Sequence, residues 1–114
     1  MQPEALKLLN DMLDAVRAIE SYTSGVDESV WLTNQQLRHS VHWNFVIIGE
    51  ALSQLAKTFP QIADEISEWR RIVGFRNQLI HGYGVIKNEI TWDIVRVKLP
   101  VLREELERLC GRET

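Results

Sequence analysis

Residues 34 to 60, NQQLRHSVHWNFVIIGEALSQLAKTFP, read as one long helix, and the two stripes on that helix decide the fold class. Thr33 or Asn34 supplies a side-chain oxygen for the first free N–H groups, and Pro60 stops the ladder after Phe59. Val41, Phe45, Ile48, Leu52 and Leu55 recur at helical spacing and form a face wide enough to pack inside a bundle. His39, Trp43, Val46 and Glu50 follow at i, i+4, i+7 and i+11 on another side. A monomer would carry plain charge there, so this mixed stripe predicts a second covered surface, most simply a homodimer contact.

Working outward, Pro3 suits the opening of a first helix that runs to about Tyr22, with Leu6, Leu9, Leu13, Val16 and Ile19 as its stripe. The intervening TSGVDESVWL (23–32) reads as the turn between the two helices. A third helix is expected from about Gln61 or Asp64 to His81, ended by Gly82 and Gly84. Asn88 is placed to cap a fourth, which holds Ile90, Ile94, Val97 and Leu99 before Pro100, then Val101, Leu102 and Leu106. Pro100 should kink or divide that helix, because it removes an N–H and clashes with the preceding turn. Strand alternation is absent from the pattern, as are repeats and linkers. The reading is therefore an all-α chain forming a single domain over residues 1–114, with GRET (111–114) fraying.

With 114 residues, 45% of them hydrophobic, the chain supplies one modest core. A lone cysteine, Cys110, permits no internal disulfide and suits a reducing cytoplasm. The N-terminal MQPEALKLLNDMLDAV does not have the form of a secretory leader, and no apolar run is long enough for a membrane span. A net charge of −3 argues against gripping nucleic acid over a broad surface. Local basic patches remain: Arg70, Arg71 and Arg76 with Lys87 beyond them, and Arg38 with His39 and His42.

The third helix carries the chemistry. Around FRNQLIHGY (75–83) and the turns just before it, Trp69, Ile72, Val73, Leu79 and Ile80 are expected on one face with Arg76 projecting from its centre. A guanidinium on a core face requires a carboxylate or an anion. Asn77 and His81 stand at i and i+4, Gly74 leaves the backbone open to close approach, and Tyr83 follows the helix end at Gly82. Plainer roles compete with chemistry at each position. Arg76 has a structural partner in Glu50 across two helices, His81 suits a helix C-terminus as a capping imidazolium, and Tyr83 would serve to close a turn. His39 and His42 at i and i+3 lack an identifiable third ligand, and Trp31, Trp43, Trp69 and Trp92 read as packing residues.

Arg76-Asn77, three residues, then His81-Gly82-Tyr83 resemble the Arg-polar…His-X-Tyr signature of the HEPN superfamily, specifically its HepT-like toxins. The IIGEALSQL stretch (47–55), Pro60, Trp92 and the Pro100–Leu102 element stand in the order that resemblance requires and extend it over nearly the whole chain. It implies an up-and-down bundle of four to five helices that dimerises around a shared cleft. It also implies a metal-independent endoribonuclease without cofactor, the toxin of a type VII-like toxin–antitoxin pair. The implied antitoxin is a separate minimal nucleotidyltransferase, which adenylylates Tyr83. RNA cleavage of this kind needs proton transfer and positive charge at phosphorus. His81 suits the first task and Arg76 the second, with Asn77 orienting the phosphate or the imidazole and Glu50 supporting Arg76. A nucleotide on Tyr83 would add bulk and negative charge at the cleft mouth and repel RNA. The alternative is a catalytically inactive HEPN partner or substrate-presenting subunit of a nucleotidyltransferase.

Overall fold

The structure is a computed structural model that describes residues 1–112, with the side chain of Tyr83 outside the described set. Glu113 and Thr114, the end of the segment expected to fray, lie outside the described residues. All regular elements among the described residues are helical.

Helix α1 (Pro3–Thr23) opens with proline and buries Ala5, Leu9, Met12, Leu13, Ala15, Val16 and Ile19. Leu6 lies only at the half-buried edge of that stripe. The stretch expected to be a plain turn contains a short helix, α2 (Glu28–Thr33). Its cause is local: Asp27 accepts the Val30 N–H at 3.1 Å, an N-cap that the turn reading overlooked. The helix carries Trp31 into the core, where its indole N–H donates to the Asn88 carbonyl at 2.8 Å and its ring lies 5.4 Å from that of Trp92. Asn34 then caps α3 (Gln35–Thr58) by accepting the Leu37 N–H at 3.0 Å. Val41, Phe45, Ile48, Leu52 and Leu55 are all buried, as the first stripe requires.

The third helix is shorter than its pattern suggests. After α4 (Pro60–Ala63) the chain turns, and α5 (Trp69–His81) begins only at Trp69. The turn diverts its polar groups away from a helical ladder. The Ser67 N–H and hydroxyl donate to the Glu105 carboxylate at 3.0 and 2.5 Å, the Trp69 indole N–H donates to Asp64 at 3.0 Å, and Glu68 takes a left-handed φ of 55°. A 3₁₀ turn (Tyr83–Val85) leads to α6 (Asn88–Asp93). Asn88 is the first residue of that helix rather than its cap; Lys87 holds the cap position, with no side-chain cap bond. The fourth helical stretch is divided before Pro100, as expected of that residue. Pro100 lies at the start of α7 (Leu99–Cys110), directly after a π-helical segment (Ile94–Lys98) that widens the ladder where the proline supplies no N–H.

Helix α1 packs against α3 and α7, and α3 packs against α5, around one continuous core. No helix among the described residues is long and apolar enough to cross a membrane. The consequence for the site is that α5 rests on α3 along one flank and leaves its other flank open.

Candidate functional site on helices α3 and α5

Arg76 leaves α5 toward α3. Its Nη1 lies 3.3 Å from Glu50 Oε1, and the Arg76 side chain is only 15% exposed while that of Glu50 is 52% exposed. The cross-helix ion pair expected as a plain alternative therefore forms, at the rim of the α3–α5 contact. Arg76 Nε is buried and has no hydrogen-bond partner among the described residues. The guanidinium is thus positioned by one long carboxylate contact with donor capacity left unused, where a buried unmade bond costs about 1–3 kcal/mol.

The close approach comes from Gly49, not from Gly74. A methyl on Gly49 would lie 2.6 Å from Arg76 Cγ and would overlap Cβ as well, whereas a methyl on Gly74 meets nothing within 4 Å. Sequence reasoning missed Gly49. Its signal was present, because a glycine inside a long apolar helix is costly and marks a place where another backbone or stem comes close.

The inward face of α5 also differs from its expected stripe. Phe75 packs edge-on against Phe45 with centroids 5.3 Å apart, Leu79 is buried, and Ile80 is 45% exposed. Arg76 nonetheless keeps its expected central place, with Phe75, Leu79 and Ile72 on one side of it and Trp69 and Val73 on the other, all packed against the core. Beyond it around the helix come Ile80, Asn77 and His81, all exposed, with His81 about 140° from Arg76 at 100° per residue. The structure thus places Arg76 at the α3 contact, joined to Glu50, and Asn77 and His81 on the adjoining exposed side of α5. His81 is the last residue of the helix, and the Gly82 N–H closes the end on the Gln78 carbonyl at 2.8 Å. The backbone of Tyr83 starts the following 3₁₀ turn; its side chain, the proposed modification site, lies outside the described residues.

On α3, the second stripe is open: Trp43 is 64% exposed, His39 and Glu50 are exposed, and Val46 is half-buried. Trp43 is therefore not a packing residue of this chain, unlike Trp31 and Trp92. A groove of about 620 Å³ runs between this face and α1, bordered by Asp11, Asp14, Trp43, Asn44, Glu50 and Gln54 among others.

The two basic patches separate on folding. Arg71 pairs with Glu68 at 3.1 Å and Arg70 stacks 4.4 Å from the Trp69 ring centroid, so neither converges on Arg76 through a shared partner. Arg38 donates to the Trp31 carbonyl at 2.8 Å. His42 leaves the patch altogether: it is 5% exposed and meets the Trp31 ring edge-on at 5.9 Å. Burial, with smaller contributions from the charges of His39 and Arg38, lowers its pKa to about 4, so at neutral pH it is an uncharged core ring. His39 is exposed, so the two histidines do not face a common ligand, and no group of three or more His, Cys, Asp or Glu among the described residues could hold a metal ion.

A pH effect on stability follows from His42. Its folded pKa is depressed, so between the ordinary value of 6.5 and about 4 the unfolded chain binds the proton more tightly. Stability is complete above pH 6.5 and falls as pH drops toward 4, by roughly 1–3 kcal/mol from this group. Denaturant midpoints across that range should fall for the wild type and fall less for His42→Phe.

A family model described as "Ribonuclease HepT-like" matches residues 12–109. The chain is 30% identical over 99 residues to "Putative RNase MJ1380" of Methanocaldococcus jannaschii, covering 87% of this chain and 90% of that protein. It is 29% identical over 101 residues to "Probable ribonuclease HepT" of Thermococcus cleftensis, covering 89% and 91%. A third relative, "Gamma-glutamylcyclotransferase and putative RNase MJ0434" of M. jannaschii, is 29% identical over 109 residues, which cover 96% of this chain and 49% of that protein. No solved structure matches the chain.

Proposed function

We propose, because the chain belongs to the HepT-like ribonuclease family, that it is an endoribonuclease acting at the Arg76–His81 flank of α5. The observation that carries this reading is the placement of Arg76. A guanidinium held at the rim of two helices, with one long carboxylate contact and part of its surface still exposed, can turn its outer nitrogens to a phosphate oxygen. Arg76 stabilises the charge that builds on phosphorus, Asn77 hydrogen-bonds the phosphate or orients the imidazole, and exposed His81 gives a proton to the departing 5′-oxygen. The attacking nucleophile is the 2′-hydroxyl, and with side chains moving the protons and Arg76 offsetting charge the chemistry needs no metal ion.

The protein works as a homodimer. Support comes from the open face made of Trp43 and Val46 on α3 and Ile80 on α5, an apolar surface that a second copy would cover while bringing two Arg76–His81 flanks to one cleft. It acts as a toxin in the cytoplasm. A separate minimal nucleotidyltransferase restrains it by adenylylating Tyr83, whose added phosphate charge repels RNA.

The test uses protein whose intact mass excludes a nucleotide adduct and whose dimeric mass is checked by light scattering. In EDTA it should cleave a mixed RNA pool to 2′,3′-cyclic phosphate and 5′-hydroxyl ends, and leave the all-2′-deoxy strand whole. Intact RNA together with a stoichiometric transferase complex would instead establish the inactive partner subunit.

A further inference from the structure

We infer that Glu50 is the general base of the cleavage reaction, an assignment that rests on the ribonuclease reading and adds to it a second proton-transfer residue beside His81. A proton acceptor is needed opposite His81. Among the described residues Glu50 makes one polar contact, the 3.3 Å approach of Arg76 Nη1, which does not reach hydrogen-bond geometry. The carboxylate is half exposed, so its remaining lone pairs face solvent at the rim where a phosphate bound to Arg76 would lie.

Its surroundings favour this use over a purely structural pair. A pair built for stability would be bidentate and well aligned; here Gly49 brings the Arg76 stem hard against α3, so the guanidinium reaches Glu50 with one nitrogen while Nε stays unbonded. Glu50 also borders the groove of about 620 Å³ between α1 and α3, which has room for the nucleotide that carries the attacking hydroxyl. The charged groups that border that groove beside Glu50 are Lys7, Asp11 and Asp14 from α1, with Lys7 and Asp11 paired to each other at 2.9 Å, while Arg76 of α5 reaches Glu50 itself.

The step balances as an internal transesterification. Glu50 Oε takes the proton of the 2′-hydroxyl, the 2′-oxygen forms a bond to phosphorus, and the P–O5′ bond breaks. His81, entering protonated, gives its proton to the 5′-oxygen. Arg76 stays charged throughout and holds the non-bridging oxygens.

The experiment measures kcat/KM for an RNA oligonucleotide in EDTA across pH 4.5–9 for wild type, Glu50→Gln, Glu50→Asp and His81→Ala, each confirmed folded and dimeric, with RNA affinity measured separately on a non-cleavable 2′-deoxy strand. Glu50→Gln should lose about 10²-fold in kcat/KM, keep or improve its affinity, and flatten the acidic limb of the profile while retaining the basic one. Glu50→Asp should keep both limbs at a reduced rate. A Glu50→Gln protein within threefold of wild type overturns the assignment and leaves the ribonuclease reading standing, as does a slowed variant with an unchanged profile and weakened affinity, which is the mark of a residue that only orients Arg76. Wild-type protein that leaves RNA intact overturns both.

Discussion

His81→Ala is expected to slow RNA cleavage by about 10²–10⁴-fold without a measurable change in melting temperature. The separation of the two readouts follows from position. His81 is exposed at the last residue of α5, so truncation removes little packing, and substitutions at such sites stay within about 0.5 kcal/mol. Arg76→Ala should show a rate loss of the same order but also a fall in stability of about 1–2 kcal/mol, because its stem fills the space above Gly49 and its charge offsets Glu50. Single-turnover cleavage in EDTA beside thermal melts would resolve both. Should His81→Ala lower the melting temperature in step with activity, the imidazole would be a helix-end support and the chemistry would lie elsewhere.

Gly49→Ala is expected to harm both the fold and the rate, although it adds only a methyl. That methyl would overlap Arg76 Cβ and stand 2.6 Å from Cγ, and the obstructing atoms belong to the stem next to the α5 backbone, which does not swing aside. Helices α3 and α5 must separate. The overpacking should cost about 1–3 kcal/mol, and a shift of the Arg76 guanidinium by about 1 Å should lower cleavage by about 10²-fold. Gly74→Ala is the matched comparison, because a methyl there meets nothing and alanine is the better helix former by about 1 kcal/mol. Chemical denaturation of the pair decides the matter: equal effects at the two glycines would mean that the helices do not approach at Gly49.

Much of the architecture follows from local pattern. The cap at Asn34, the stop at Phe59–Pro60 and the five buried residues of the first α3 stripe depend on spacing and on backbone chemistry within one helix, and these are legible in the chain itself. So is the pairing of Arg76 with Glu50 as a stated alternative, because a guanidinium near a core face must meet an anion. The start of α5 was not legible. Residues 64–68 turn because Glu105, nearly forty positions later, accepts both polar hydrogens of Ser67. The neutral state of His42 was likewise hidden, since its desolvation comes from burial next to Trp31 on an unforeseen helix.

By itself, then, the sequence determined the helical class, the boundaries of α1 and α3, and the residue types available for chemistry on α5, since each depends on neighbours within a few turns. Only the tertiary structure decided which glycine admits Arg76, which histidine is buried, and which apolar residues are left uncovered, because those depend on how closely two helices approach and from which side.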